Sequence, residues 1–261
     1  MRSLEFRLEG GDRNVGTAWL PASGGAHPLA IYCHGWGDSR ALGDVQRDLA
    51  ERLVARNAGL LTFDFFGAGD TGGDFSGMTY GRWTRNLVEV YAWTAAQAWA
   101  DPRRLACIGF SSGTTAALRF AAASPGPLCV VSIATCLGHF INMADGGPAR
   151  TLLANLDALS AGGTAPVFST PFPLDFYRDF LKEAPVHTVQ DVPCPVLFLE
   201  GGADNPYRRS DGRLGHLIRQ RHGRPSMHHE VEGGDHGLFN KGEERNGRVM
   251  AFLQDSGLFK V

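Results

Sequence analysis

The chain has 261 residues, of which 20% are charged and 43% hydrophobic, and its formal net charge at pH 7 is −2. A chain of this length and composition can bury a sizeable core, and we expect a single α/β domain over residues 1–261. The near-neutral charge excludes the strong electrostatic attraction by which proteins bind nucleic acids or anionic membranes, so we expect neither as a partner.

The cysteine pattern and the first seven residues indicate the cellular compartment of the protein. The five cysteines, an odd number, lie mostly in apolar runs, and no Cys-x-x-Cys spacing occurs. This pattern favours buried free thiols over disulfides or a zinc site. Residues 1–7 alternate charged and apolar residues without the apolar core of a signal peptide. Because no apolar stretch approaches the roughly 20 residues that span a bilayer, we expect a cytoplasmic protein.

The first elements predict a sheet edge and a turn at the rim of the sheet. Residues 4–8 and 15–20 read as two antiparallel strands of an edge hairpin. Residues 29–33 form a continuous apolar run, typical of a parallel strand buried on both faces, and lead directly into His34-Gly35-Trp36-Gly37. Taken alone, this loop is a glycine turn with a core tryptophan. Together with the serine motif described below, it makes the backbone amide of Trp36 a candidate oxyanion donor.

A glycine-rich loop follows the next predicted helix (44–57) and strand (60–64). Residues 67–72 spell Gly-x-Gly-x-x-Gly, the spacing of dinucleotide-binding loops. That fingerprint needs a helix directly behind it and an acidic residue about 20 positions further on, and neither follows. We interpret the stretch as a loop at the sheet edge, in which Asp64 and Asp70 bond backbone amides rather than substrate.

The central motif is a serine between a strand and a helix. After a long predicted helix (79–99), residues 105–118 pass through an apolar run, the turn Gly109-Phe110-Ser111-Ser112-Gly113 and an alanine-rich segment. A serine on so tight a turn is held in a strained conformation that lifts its hydroxyl above the sheet edge. Ser111 is therefore a candidate nucleophile, and the amide of Ser112, at the helix start, is a second candidate oxyanion donor. The alternative is a Gly/Ser-rich turn that merely links two elements.

The alternation of strands and helices continues with a strand over residues 128–134 and predicts one parallel sheet covered by helices on both faces. Residues 136–190 interrupt this alternation with glycines and prolines. At about 55 residues the segment is much longer than a usual connection between two elements, so we predict an inserted cap. His139 and His187 in this segment receive no role. Its aromatic side chains either pack within the cap, which we favour, or contact substrate; they are Phe168, Phe172, Phe176, Tyr177 and Phe180.

Two loops after the cap carry the remaining candidates. Residues 195–200 resume the sheet and lead to Asp204, and residues 228–231 form the last predicted strand and lead to His236. Both loops follow carboxyl ends of strands and therefore lie on the same rim as Ser111. The two histidines of the last strand are adjacent and point to opposite faces, so they cannot both bind one metal.

Ser111, Asp204 and His236 occur in the order Ser, Asp, His, each after a different predicted parallel strand. In such a set a carboxylate orients the imidazole that takes the proton of the serine. With these residues the chain resembles the α/β-hydrolase superfamily over nearly its whole length. The loops at 34–37 and 64–70 and the position of the cap resemble the serine-aminopeptidase-like group, which includes cinnamoyl and feruloyl esterases.

The resemblance implies an α/β-hydrolase fold, a mostly parallel twisted sheet with helices on both faces and an inserted cap. By position it implies Ser111 as nucleophile, Asp204 as acid and His236 as base, with the amides of Trp36 and Ser112 as oxyanion hole. Neither a cofactor nor a metal is expected.

We therefore expect a carboxylic ester hydrolase that forms an acyl-enzyme on Ser111 and acts on small-molecule esters with short-chain or aromatic acyl groups. An aminopeptidase, thioesterase or acyltransferase using the same residues remains open, as does a ligand-binding receptor on this scaffold. A dehalogenase is disfavoured because a serine, and not an aspartate, occupies the turn. The sequence leaves the natural substrate and the oligomeric state open.

Overall fold

The chain enters its central sheet through a hairpin at one edge. The computed structural model describes residues 1–138, 148–167 and 169–259. The strands of this part of the chain are β1 (Arg2–Arg7), β2 (Val15–Leu20), β3 (His27–Cys33), β4 (Gly59–Phe63), β5 (Ala100–Phe110), β6 (Val130–Ile133), β7 (Thr164–Val167), β8 (Thr170–Pro173), β9 (Val196–Gly201) and β10 (Ser226–Val231).

Eight of these strands form the main sheet, in the order β1-β2-β4-β3-β5-β6-β9-β10, and β7 and β8 pair separately. β1 pairs antiparallel with β2 and β2 antiparallel with β4, whereas the other neighbours run parallel. The prediction of a mostly parallel sheet with an edge hairpin is therefore confirmed. Parallel strands share one direction, so the loops after β3, β5, β9 and β10 meet at one rim.

Helices cover both faces of the main sheet. The α-helices within the described residues are α1 (Asp44–Ala55), α2 (Tyr80–Ala95), α3 (Ser112–Ala123), α4 (Pro148–Ala154), α5 (Leu156–Ser160), α6 (Leu174–Glu183), α7 (Pro206–Arg221) and α8 (Gly242–Asp255). α1 and α8 pack on one face, and α2, α3 and α7 on the other. Along β3, Leu29 and Ile31 join one core and Ala30 and Tyr32 the other, as the continuous apolar run predicts. No helix in the described ranges is long and apolar enough to cross a membrane.

The second helix is shorter than the sequence predicts. Thr79 caps α2, because its Oγ1 accepts the amide of Arg82 at 3.1 Å. α2 ends at Ala95 instead of extending to Trp99, and the Trp99 carbonyl accepts the amide of His27 at 2.9 Å. Residue 99 lies in the turn between α2 and β5, and its ring meets that of Trp93 edge to face with the centroids 5.9 Å apart. The apolar character of its side chain therefore reflects packing on α2 and not a further helical turn.

The cysteines are free thiols, as predicted. Cys33, Cys107, Cys129 and Cys136 are buried, and Cys194 is partly buried. Burial raises the pKa of Cys129 and of Cys136 to about 12. These side chains therefore stay protonated and serve as core residues.

The segment between β6 and β9 carries α4, α5, the β7–β8 pair and α6. Of the predicted cap aromatics, four are at most 2% exposed, and packing is therefore the correct interpretation for them: Phe172, Phe176, Tyr177 and Phe180. Phe168 and His139 lie outside the described residues. α6 is fixed to the main body, because Asp179 accepts the amide of Gly81 at 3.1 Å and Glu183 pairs with Arg119.

Candidate active site

Ser111 lies at a sharp turn between β5 and α3. Its backbone angles are φ 50° and ψ −123°, a conformation that residues with a side chain rarely adopt. A Cβ on Gly109 would lie 2.6 Å from the Thr114 Cα. One on Gly113 would lie 2.2 Å from the carbonyl oxygen of Cys33. Glycine is therefore required at both positions so that strand and helix can approach each other around Ser111.

Three side chains from separate strand ends meet at this turn. His236 Nε2 lies 2.9 Å from Ser111 Oγ, and His236 Nδ1 lies 2.6 Å from Asp204 Oδ2. Burial alone would raise the pKa of Asp204, but the hydrogen bond and charge of His236 outweigh it, and the pKa lies below its ordinary value. Because the ionised carboxylate can only accept, His236 carries a proton on Nδ1, and in the neutral form of the imidazole Nε2 accepts the hydroxyl of Ser111. The structure thus brings together the serine, acid and histidine named from the sequence.

Asp235, the sequence neighbour of His236, has other partners. Its carboxylate accepts the backbone amide of Phe239 at 2.7 Å and that of Asn240 at 3.3 Å. These bonds shape residues 232–241, which we call the His236 loop. Asp235 is therefore part of the loop's own structure, and the acid bonded to the imidazole comes from the loop after β9.

The residues that carry the two candidate oxyanion donors lie close to Ser111. Ser112 is the first residue of α3, where helix geometry leaves an amide without an intrahelical acceptor. The turn that carries Trp36 lies against the serine, since a Cβ on Gly35 would sit 3.1 Å from the Cβ of Ser111. The turn after β3 and the turn after β5 are thus in direct contact.

His34, to which the sequence assigned no role, joins two loops beside the site. Its Nδ1 lies 2.8 Å from the carbonyl oxygen of Gly35, and its Nε2 lies 3.1 Å from the backbone nitrogen of Phe65. A carbonyl accepts and an amide donates, so the imidazole is neutral and carries its proton on Nδ1. Burial lowers the pKa of His34, which favours the same neutral form. The sequence signal for this residue was its position directly after a fully buried strand.

The indole of Trp36 is enclosed by aromatic rings. Its ring centroid lies 5.0 Å from that of Phe75, 5.3 Å from that of Phe172 and 6.1 Å from that of Phe176, all edge to face. Phe172 and Phe176 are 0% and 1% exposed, whereas Trp36 is partly exposed. The segment between β6 and β9 therefore packs against the indole of Trp36, which remains partly exposed.

A buried carboxylate organises the loop after β4. Asp64 accepts the backbone amides of Arg40 at 2.6 Å and of Asp70 at 2.9 Å, as predicted. The prediction for Asp70 is wrong, because its carboxylate pairs with the guanidinium of Arg40 at 2.7 Å. Arg40 lies 30 residues away in sequence from Asp70 and also bonds Asp64 at 2.7 Å, so the sequence offered no sign of this pairing.

The glycine-rich loop does not form a dinucleotide cradle. Residues 67–72 lead to a single 3₁₀ turn, Phe75–Gly77, and α2 begins only at Tyr80. The helix N-terminus that binds a pyrophosphate directly behind the glycines is therefore not formed here. Within the described residues no group of three His, Cys, Asp or Glu side chains could hold a metal ion.

Solved structures share this architecture along the whole chain. GrgF, an α/β hydrolase from a Penicillium species, matches with a TM-score of 0.77 and 14% identity over 98% of this chain and 99% of its own. The chain has the α/β-hydrolase fold. Est1E from Butyrivibrio proteoclasticus, also solved with ferulic acid bound, matches the chain with a TM-score of 0.73 and 15% identity over 98% of this chain and 99% of its own. A puromycin-hydrolyzing peptidase of Mycobacterium tuberculosis has a TM-score of 0.77 and 19% identity over 98% of this chain and 39% of its own.

Comparison by sequence finds a more limited similarity than comparison by structure does. No protein-family model matches the chain. Two curated relatives, both uncharacterized proteins of Mycobacterium tuberculosis, are 26% identical over 211 residues, or 78% of this chain. The match spans 62% of the length of those relatives.

Proposed function

We propose that this protein is a serine hydrolase that cleaves carboxylic esters through an acyl-enzyme on Ser111. The observation that carries the proposal is the chain of two hydrogen bonds from Ser111 Oγ to His236 Nε2 at 2.9 Å and from His236 Nδ1 to Asp204 Oδ2 at 2.6 Å. These contacts match the demands of serine catalysis, in which a base oriented by a carboxylate activates a weak nucleophile.

In the proposed reaction, Ser111 Oγ forms a bond to the ester carbonyl carbon while its proton moves to His236 Nε2. The carbonyl electron pair moves onto oxygen, and this oxyanion accepts hydrogen bonds from the amides of Trp36 and Ser112. When the carbonyl re-forms, the bond to the alcohol oxygen breaks, and His236 gives its proton to that oxygen. Water then attacks the acyl carbonyl carbon while one of its protons moves to His236. When the carbonyl re-forms, the bond to Ser111 Oγ breaks, His236 gives this proton to Oγ, and the acid leaves. Asp204 stays ionised throughout and holds the imidazole.

We further propose that residues 136–190 form a cap on a single domain of 1–261. The bonds from Asp179 to the start of α2 and from Glu183 to Arg119 support a cap that is fixed to the body. Phe172 and Phe176 are buried, so a substrate would meet the partly exposed Trp36 rather than these rings. An aromatic or short apolar acyl group suits such a flat aromatic surface better than a long chain does. The ferulic acid bound to Est1E, a protein of the same fold, agrees with this substrate class.

A peptidase is the second candidate, because the puromycin-hydrolyzing peptidase shares the fold over 98% of this chain. A panel of p-nitrophenyl esters and aminoacyl p-nitroanilides separates the two. We expect turnover of acetyl, butyryl and phenylacetyl esters above that of the palmitoyl ester, with none in Ser111→Ala. Faster hydrolysis of the sixteen-carbon than of the four-carbon ester would refute the preferred chain length. Turnover of anilides without turnover of esters would establish the peptidase instead.

A further inference from the structure

Two arginines in the described part of the chain are completely buried. Arg219 and Arg245 are both 0% exposed, and the Nε of each has no hydrogen-bond partner. A buried charge is costly unless hydrogen bonds compensate it, so each guanidinium must be held by specific acceptors. The acceptors of the two arginines differ. Those of Arg219 lie away from the loop that carries His236, whereas Arg245 bonds a carbonyl oxygen of that loop.

Arg245 of α8 holds the residue that follows the proposed base. Its Nη1 donates to the carbonyl oxygen of Gly237 at 2.9 Å, and its Nη2 donates to the hydroxyl of Tyr32 at 3.3 Å. Tyr32 belongs to β3 and is 3% exposed. Arg245 therefore ties the His236 loop to a central strand, and no carboxylate of the described residues shares in the contact.

Arg245 also contacts an aromatic ring of the same loop. The guanidinium of Arg245 lies 5.6 Å from the ring centroid of Phe239, within reach of a cation–π contact. The ring of Phe239 meets that of Phe110 at 5.5 Å, and Phe110 meets His236 at 5.5 Å. A shift of the guanidinium would therefore displace both the backbone after His236 and the rings beside the His236 imidazole.

We propose that Arg245 is a positioning residue that fixes the imidazole of His236 against Ser111 by holding the carbonyl of Gly237. The inference rests on the proposed function, in which a proton passes between Ser111 Oγ and His236 Nε2. A planar guanidinium with several donors in fixed geometry can bond two separate oxygens at once, which an ammonium on a flexible stem does poorly. Arg245 does not touch the reacting atoms; it acts through the loop.

Arg219 supplies the matched control. This arginine of α7 is equally buried, and it donates to four backbone carbonyl oxygens at 2.7 to 3.0 Å: those of Val189, Val192, Cys194 and Pro225. None of these belongs to the His236 loop. Replacing it should lower stability without changing the geometry at Ser111.

The test compares Arg245→Met, Arg245→Lys and Arg219→Met. With p-nitrophenyl acetate, we expect Arg245→Met to lose kcat on the order of 10- to 100-fold, because small misplacements of a catalytic group cost about this much, while KM stays nearly unchanged. Arg245→Lys should retain more kcat, since it keeps one donor for Gly237. Arg219→Met should lower the unfolding midpoint but keep the kcat of the folded protein. If Arg245→Met does not fold, Arg245→Lys alone must still lose kcat relative to Arg219→Met.

Hydrogen–deuterium exchange gives a readout that does not depend on activity. Amides of residues 232–241 should exchange faster in Arg245→Met than in wild type, and at the wild-type rate in Arg219→Met. A folded Arg245→Met with wild-type kcat, or with wild-type exchange in this loop, would overturn the inference. Equal losses of kcat in the Arg245 and Arg219 variants would also overturn it. If wild type turns over no ester, the proposed function fails, and the exchange data still decide whether Arg245 fixes the loop.

Discussion

Two aspartates compete for the role of acid beside His236. Asp235 is its neighbour in sequence, yet its carboxylate bonds the amides of Phe239 and Asn240. Asp204 is distant in sequence, but its Oδ2 lies 2.6 Å from His236 Nδ1. The residue pattern could identify Asp204 because an acid directly after a parallel strand lies on the same rim as Ser111. Its ionised state follows from the hydrogen bond and charge of His236, which outweigh the opposing effect of burial and which only the structure shows.

Asp204→Asn should abolish most turnover while Asp235→Asn keeps it. An amide at position 204 can donate to the imidazole and so favours the wrong tautomer, for which a loss on the order of 10⁴-fold in kcat is typical. Asp235→Asn keeps one oxygen for the amide of Phe239, which bonds Oδ1 at 2.7 Å, and loses only the longer bond from Asn240 to Oδ2 at 3.3 Å, so we expect a change of less than about tenfold. The measurement is kcat for one ester, with circular dichroism to confirm folding. Equal losses, or a larger loss at position 235, would contradict the assignment.

At the scale of elements, the sequence predicted most of the helices and strands whose apolar residues recur at a regular spacing. The buried run of β3 and the strand and helix around Ser111 follow directly from local pattern. The end of α2 does not follow from local pattern, because Trp99 fits the helical spacing although its carbonyl oxygen accepts the amide of His27. Contacts such as Arg40 with Asp70 and Arg245 with Gly237 were not predictable, since they join residues far apart or use a backbone acceptor that carries no residue signal.

The aromatic enclosure of Trp36 predicts how the cap affects catalysis. Phe172→Leu should destabilise the fold by about 1–3 kcal/mol, as losses of core volume commonly do, and should lower kcat equally for acetyl and phenylacetyl esters. The reason is that Phe172 supports Trp36, whose amide we propose as an oxyanion donor, and is too buried to contact an acyl group. Phe180→Leu is the control, because this ring is also buried and packs on Tyr80 and Phe176. A changed ratio between the two esters in Phe172→Leu would show that the ring contacts substrate.

At the scale of the whole molecule, the half-buried His228 and the buried Glu200 make the free energy of unfolding depend on pH, in opposite directions. Burial, followed by the charge of His216, lowers the pKa of His228. Its unfolded pKa is about 6.5, so as the pH falls below this value the unfolded chain binds the proton first and stability is lost. Urea unfolding of wild type and His228→Gln between pH 8 and pH 5 should show wild type losing stability relative to the variant as the pH falls. A difference that does not change with pH would contradict the shift.

Glu200 should act in the opposite direction. Burial raises the pKa of Glu200 well above its ordinary value, so the folded protein keeps a proton that the unfolded chain has released. Its contribution is therefore fully present below the unfolded value and is lost as the pH rises towards the folded value. Relative to Glu200→Gln, wild type should lose free energy of unfolding from pH 5 upwards. A gain with rising pH would show that the buried carboxyl is ionised in the folded protein.

The most direct test of the central claim, that Ser111 is the nucleophile of a serine hydrolase, is labelling with a fluorophosphonate followed by mass spectrometry. We predict one phosphonyl group per chain, located on Ser111, retained in Ser112→Ala and lost in Ser111→Ala. Ser112→Ala keeps the backbone amide that the proposal uses, so its labelling also distinguishes the two neighbouring serines. A folded wild-type protein that takes no label, or takes it on Ser112, would contradict the account.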